Sequence, residues 1–219
     1  MHSTVKNLLD IKNNIKIHLN KLNININPKI IAVSKTFKID KILPLLEYGH
    51  NDYGENKVQE ALEKWTEIKK INSKIRLHMV GKLQTNKVKF AVQIFDYIHS
   101  VDSEKLARKI AEEQNKMNKK IKIFLQVNIG DENQKSGINK NEVGQLVSFS
   151  KEIGLNVIGL MCIPPLNNDA EGYFLEMNKL NKDLGLAELS MGMSSDYLIA
   201  AKNLSTYVRV GTSIFGQRS

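Results

Sequence analysis

Cysteine is nearly absent from this 219-residue chain. Cys162 stands alone, which excludes an intramolecular disulfide and any metal site built from several thiolates. A chain that does without disulfides suits a reducing compartment, so a cytoplasmic protein is expected. Long apolar runs are missing too, and nothing approaches the ~20 residues that a membrane helix needs. The opening Met1-His2-Ser3-Thr4-Val5-Lys6-Asn7 has no apolar stretch of signal-peptide length. Asp10 follows without any arginine, which argues against a transit peptide. Proline is scarce, and no Pro/Gly-rich linker marks a boundary, so residues 1–219 read as a single domain.

Arginine is the other scarcity. Only Arg76, Arg108, Arg209 and Arg218 occur, so lysine carries nearly all of a net charge of +9. The lysines are scattered among acidic residues, as where Lys105, Arg108 and Lys109 alternate with Glu104, Glu112 and Glu113. Bidentate base and phosphate contacts call for arginine. A solvated lysine surface is therefore the better reading, and neither a nucleic-acid nor a membrane partner is expected. The chain also has no nucleophile-elbow Gly-x-Ser-x-Gly, no Gly-x-Gly-x-x-Gly fingerprint and no P-loop. His50, His78 and His99 lack metal-ligand spacing, so no metal is expected. His78, beside Met79 and Val80, reads as a satisfied barrel histidine, and Lys82, Lys87 and Lys89 read as a solvated helix start.

What is present is a repeat of short apolar run, turn and helix-like segment. Val5, Leu8, Leu9, Ile15, Leu19 and Leu22 recur at helical spacing and predict an opening amphipathic helix. Strands are expected at Lys29–Ser34, His50–Tyr53, Ile75–Val80, Tyr97–Ser100, Ile121–Asn128, Asn156–Met161, Glu188–Ser190 and Tyr207–Val210. Between them, Ser103–Lys116 offers Ser103 as N-cap before the stripe Leu106, Ala107, Ile110 and Ala111. Lys140–Lys151 carries Val143, Leu146 and Val147. Eight strands, each followed by a helix, predict an α/β fold, a closed (β/α)8 TIM-type barrel with an extra N-terminal helix rather than a doubly wound sheet.

In such a barrel, function gathers beyond the C-terminal ends of the strands. Ser34-Lys35-Thr36, Gly54-Glu55-Asn56, Gly81 to Lys87, Asn128-Ile129-Gly130, Lys135-Ser136-Gly137, Ser190 to Ser195 and Arg209 to Ser213 stand there. The loops after strands seven and eight commonly form a phosphate site in barrels. Ser194, Gly211 and Thr212, at the start of a short final helix Ser213–Gly216, could supply hydroxyls and backbone N–H groups to an anion. The same residues could simply cap a helix, and the residues alone leave both readings open. Lys35 is by default a solvated strand-end lysine. Its stem nevertheless leaves the packed run Ile30-Ile31-Ala32-Val33, and a lysine in partly apolar surroundings holds more of the free amine that Schiff-base chemistry needs.

Several of these segments resemble, in order, the signatures of the pyridoxal phosphate homeostasis (YggS/PROSC) family. They are Ala32-Val33-Ser34-Lys35-Thr36, Gly54-Glu55-Asn56-Lys57-Val58-Gln59-Glu60, and His78-Met79-Val80-Gly81-Lys82-Leu83-Gln84-Thr85-Asn86-Lys87. Further on come Gln126-Val127-Asn128 with Lys135-Ser136-Gly137, then Gly159-Leu160-Met161, Leu189 to Ser194 and Val208 to Gly216. The family's fold is one barrel similar to the N-terminal domain of alanine racemase, and its cofactor is pyridoxal 5′-phosphate (PLP). The resemblance implies that Lys35 holds PLP as a Schiff base and that Ser194, Gly211 and Thr212 hold its phosphate. It places Asn56 near the ring or the lysine and Arg209 opposite the pyridine nitrogen. Lys82 stands where relatives often have histidine, and Leu77 where an aromatic is common.

Two expectations about activity follow from the resemblance. A guanidinium at the pyridine nitrogen disfavours its protonation and weakens the ring as an electron sink. Racemases of the similar fold add a tyrosine from a separate C-terminal domain, for which a chain ending at Ser219 has no room. The expected function is therefore to carry or buffer PLP as a monomer, with apo-PLP enzymes as candidate partners. A weakly active amino-acid racemase is the alternative.

Overall fold

The computed structural model describes residues 1–132, 136–165 and 170–217. Eight parallel strands close into one barrel in sequence order, β1 Lys29–Val33, β2 Asp52–Glu55, β3 Arg76–Met79, β4 Tyr97–Val101, β5 Lys122–Val127, β6 Asn156–Cys162, β7 Glu188–Ser190 and β8 Tyr207–Val210. Closure is made by β1 against β8, with Lys29 opposite Tyr207 and Ile31 opposite Arg209. The helices α2 Ile39–Glu47, α3 Val58–Ile71, α4 Val88–Ile94, α5 Glu104–Lys116, α6 Val143–Glu152, α7 Ala170–Asp183, α8 Tyr197–Lys202 and α9 Thr212–Phe215 follow the strands one for one. The extra helix α1, Ser3–Lys21, packs against α2, α8 and α9.

All eight expected strands are present. The largest offset is at β2, which starts two residues later than the pattern suggested, so Gly54 and Glu55 lie inside the strand and only Asn56 stands beyond it. The final helix starts at Thr212 rather than Ser213, with Gly211 as its N-cap. In α1 the buried stripe is Val5, Leu8, Ile11, Ile15 and Leu19, with Leu9 half-buried and Leu22 exposed. The Ser103 hydroxyl accepts the Leu106 N–H at 3.4 Å and caps α5 as expected.

Alternation along the strands sorts the core into two layers. Ile30 and Ala32 point outward into the large layer between barrel and helices. Ile31 and Val33 point inward to join Tyr97, Phe124, Met161 and Tyr207 as the barrel filling. The inner layer carries a polar seam, for His78, His99, Ser190 and Arg209 are also buried there. His78 is satisfied through both ring nitrogens, toward Asp52 and His99. Among the described residues no group of histidine, cysteine or acidic side chains could hold a metal ion, and no helix is long and apolar enough to cross a membrane.

Candidate functional site

Beyond the C-terminal ends of the strands lies a cavity of about 360 Å³. Its wall is made by residues at the ends of β1, β2, β3, β6, β7 and β8. All six residues singled out in the sequence, Lys35, Asn56, Ser194, Arg209, Gly211 and Thr212, line it. The apolar part of the wall, including Val33, Val80 and Ile163, was not foreseen. Val33 and Val80 end their apolar runs, and Ile163 is 37% exposed just past β6, an apolar side chain left at a rim.

Lys35 leaves β1 on a turn that is clamped from both sides. The Ser34 hydroxyl donates to Glu55 Oε1 at 2.7 Å, and Lys64 Nζ donates to the Ser34 carbonyl at 2.9 Å. The Thr36 N–H donates to the Glu60 carboxylate. Lys64 joins the two acids, reaching Glu55 and Glu60 at 2.9 Å each, and the Trp65 indole donates to Glu55 at 3.0 Å. Thr36 has φ +68°, a left-handed conformation that a β-branched residue seldom adopts. Such strain persists only where its surroundings over-determine it, and here it sits next to Lys35. Burial pushes the Glu55 carboxyl above the usual carboxylate range, opposed chiefly by the Lys64 charge. The sequence offered Glu55 only as part of a motif, and nothing in it marked Lys64 as its partner.

Asn56 follows β2, and its Oδ1 is buried without a hydrogen-bond partner. A buried acceptor left unmade costs about 1–3 kcal/mol, so an unpaired one in a cavity wall is a vacancy for a donor. Across the cavity, Arg209 is 5% exposed. Its Nη1 donates to the Ser190 carbonyl at 2.7 Å and to Ser190 Oγ at 2.8 Å, and its Nη2 donates to the Cys162 carbonyl at 2.9 Å. Burial lowers the pKa of this guanidinium, which has no carboxylate bonded to it among the described residues. Burial also pushes the Cys162 thiol up to about 12, so it is an inert core side chain rather than a nucleophile.

The loops after β7 and β8 meet at the third wall. Ser194 Oγ accepts the Ser213 N–H at 3.3 Å, and Gly211 passes so close to β1 that an added Cβ would stand 3.2 Å from the Val33 carbonyl oxygen. The remaining motifs do scaffolding. Gln126 Nε2 donates to the Ser136 carbonyl at 3.1 Å, Asn128 Nδ2 donates to the Glu132 carbonyl at 3.0 Å, and the Asn128 N–H donates to the Ile138 carbonyl at 2.9 Å. Lys82, Lys87 and Lys89 are exposed at the start of the β3–α4 segment. Lys135 and Arg218 lie outside the described residues.

Fold and site together define a barrel of the kind found at the N-terminus of alanine racemase, and that family's model matches residues 7–219. The relatives narrow this. The pyridoxal phosphate homeostasis protein of Aquifex aeolicus is 36% identical over 200 residues, 87% of each chain, and its namesake from Escherichia coli is 31% identical over 203 residues. The chain belongs to the pyridoxal phosphate homeostasis protein family. Among solved structures, PipY of Synechococcus elongatus with PLP bound is 33% identical, with a TM-score of 0.80 over 92% of this chain and all of that one. An alanine racemase of Clostridium difficile is 15% identical with a TM-score of 0.71, covering 57% of that chain, and shows the fold alone.

Proposed function

We propose that this protein binds PLP in the cavity at the strand ends and carries or buffers it, without turning over a substrate. The observation that carries the reading is the meeting of Lys35, Arg209 and the Ser194–Gly211–Thr212 cup around one cavity, with the unpaired Asn56 Oδ1 in its wall. PLP brings an aldehyde that condenses with an amine as water leaves, a phosphate dianion, and a pyridine nitrogen. Lys35 supplies the amine. Ser194 and Thr212 hydroxyls and the Gly211–Thr212 backbone receive the phosphate, Arg209 faces the ring nitrogen, and Asn56 accepts a donor from the ring or its lysine. The PLP-bound PipY structure and the names of the relatives, which describe a homeostasis protein rather than an enzyme, support this reading.

In this reading the barrel, a single domain over residues 1–219, works as a monomer, which sedimentation of the PLP-loaded protein would check. The single buried thiol fits a cytoplasmic setting, and apo-PLP enzymes are the partners to which a carrier would deliver. The test is the visible spectrum of the purified protein, followed by borohydride reduction and peptide mapping. A yellow protein whose pyridoxyl label maps to Lys35 is the expected result. A colourless preparation that takes up no added PLP overturns the function, and a label on another lysine overturns the site.

A further inference from the structure

A chain of hydrogen bonds crosses the barrel from the cavity to its opposite mouth. It passes through Arg209 in β8, Ser190 ending β7, His99 in β4, His78 in β3 and Asp52 at the start of β2, all buried. Arg209 Nη1 reaches Ser190 Oγ at 2.8 Å, Ser190 Oγ lies 2.9 Å from His99 Nδ1, His99 Nε2 lies 3.0 Å from His78 Nδ1, and His78 Nε2 lies 3.1 Å from Asp52 Oδ1. Phe124 stacks on His99 with ring centroids 4.3 Å apart, and Tyr97 stacks on His78 at 4.2 Å. The two imidazoles are thereby sheathed in apolar faces.

Its two ends fix the direction of every bond. Asp52 accepts two bonds from Arg76, at 2.7 and 2.6 Å, which hold its carboxyl well below the usual range against the cost of burial. An ionised carboxylate only accepts, so His78 Nε2 must carry the hydrogen. Burial keeps both histidines neutral. His78 Nδ1 is then an acceptor, His99 Nε2 the donor to it, and His99 Nδ1 an acceptor in turn. The Ser190 hydroxyl proton is thereby committed to His99. Its oxygen presents lone pairs alone to the guanidinium, which can only donate.

We infer that Asp52, His78, His99 and Ser190 form a one-way hydrogen-bond relay that positions the Arg209 guanidinium in the cavity wall. The inference deepens the function proposed above and rests on its placing of Arg209 at the ring nitrogen. Among the described residues no carboxylate is hydrogen-bonded to Arg209, and three of its donors go to two carbonyls and this one hydroxyl. A hydroxyl free to turn its proton toward the cation would hold it less well. The four residues of the relay are positioning residues, since Arg209 lines the cavity and none of them does.

Two measurements test the relay. In cofactor-free protein labelled with 15N-histidine, long-range 1H–15N spectra report the tautomer of each ring. His78 and His99 are expected as neutral Nε2–H forms; an Nδ1–H tautomer or an imidazolium in either at neutral pH overturns the relay. Binding is then compared for PLP and its 1-deaza analogue, which lacks the ring nitrogen, in wild type and His99→Phe. Loss of one positioning bond should shrink the preference for PLP by about three- to tenfold. Equal weakening of both ligands means that His99 only fills space and overturns the positioning role. Wild type that takes up neither ligand refutes the proposed function instead, and the tautomers of the cofactor-free protein still decide the relay.

Discussion

Ser194 Oγ accepts the backbone N–H of Ser213 at 3.3 Å, so the loops after β7 and β8 are tied together within the chain itself. That bond uses a lone pair of the serine and leaves its proton to donate into the cavity. Neighbouring Thr212 is exposed and lines the same wall. The cup is preorganised, and a ligand does not have to bear the entropy of assembling it.

The phosphate reading makes Thr212 the residue to test. A hydrogen bond to a charged group is worth about 1.5–3 kcal/mol, so Thr212→Val should weaken PLP binding roughly ten- to a hundredfold. Phosphate-free pyridoxal should be affected much less, because the lost bond serves the phosphate. Titration of both ligands by visible absorbance checks this. Unchanged PLP affinity, or equal weakening of pyridoxal, would place the phosphate elsewhere.

Racemisation should be negligible in PLP-loaded protein. Proton abstraction and return on opposite faces need two acid/base groups. Among the described residues, Lys35 has no tyrosine, histidine, cysteine or carboxylate opposite it in the cavity wall. Chiral chromatography after long incubation with alanine is the check. Turnover in the ordinary enzyme range of about 1–10³ s⁻¹ would replace the carrier with a racemase.

The period of the apolar runs carried the fold, because buried parallel strands leave continuous apolar stretches such as Ile30-Ile31-Ala32-Val33 that punctuation then separates. Position relative to those runs carried the rim residues, since a barrel puts every post-strand segment on one face. The supporting clamp was illegible. Glu60 and Lys64 are a local i,i+4 pair on α3, but they meet Glu55 and the Ser34–Thr36 turn only because β2 and α3 fold back beside β1, and no local pattern encodes that meeting. The seam through the barrel was hidden for the same reason. His78 could be read as satisfied, but not by what, because His99 and Asp52 reach it from other strands.

Gly81 shows how a motif residue can serve the site without touching a ligand. A Cβ there would stand 2.5 Å from the Asn56 carbonyl oxygen and 2.8 Å from its Cα, both backbone atoms that cannot swing away. Gly81→Ala should cost about 1–3 kcal/mol of stability, as overpacking does, and displace Asn56 from the cavity wall. Gly172→Ala is the contrast: it lies exposed in α7 with nothing within 4 Å of the added methyl, and should be neutral or stabilising by up to about 1 kcal/mol. Urea unfolding of the two variants separates them. Equal stability would mean that the approach of Gly81 to Asn56 is looser than described.

Acid should destabilise this protein through its buried histidines before the carboxylates that hold ordinary or lowered pKa values titrate. His50 is 8% exposed, its Nε2 lies 2.9 Å from the Asp52 carbonyl oxygen, and burial lowers its pKa from 6.5 to about 4 despite the attraction of Asp52. Between those two values the unfolded chain binds a proton that the folded chain refuses. Stability therefore rises with pH across the window, is complete above about 6.5, and is lost as the pH falls toward 4. The shift corresponds to about 3 kcal/mol for His50 alone. His78 and His99 are displaced in the same direction by burial and steepen the same slope. Asp52, held low by Arg76 and His78, begins to add its loss only as the pH falls through the ordinary carboxylate range. His50→Gln keeps a side-chain N–H for the Asp52 carbonyl but removes the titration. Its unfolding free energy, measured in urea at intervals from pH 6.5 to 4.5, should fall less steeply than that of wild type, by up to about 1.4 kcal/mol per pH unit in mid-window, the slope of one proton. A variant that follows the wild-type curve would mean that His50 takes its proton without unfolding the protein, and that the histidines of the inner seam carry the acid sensitivity.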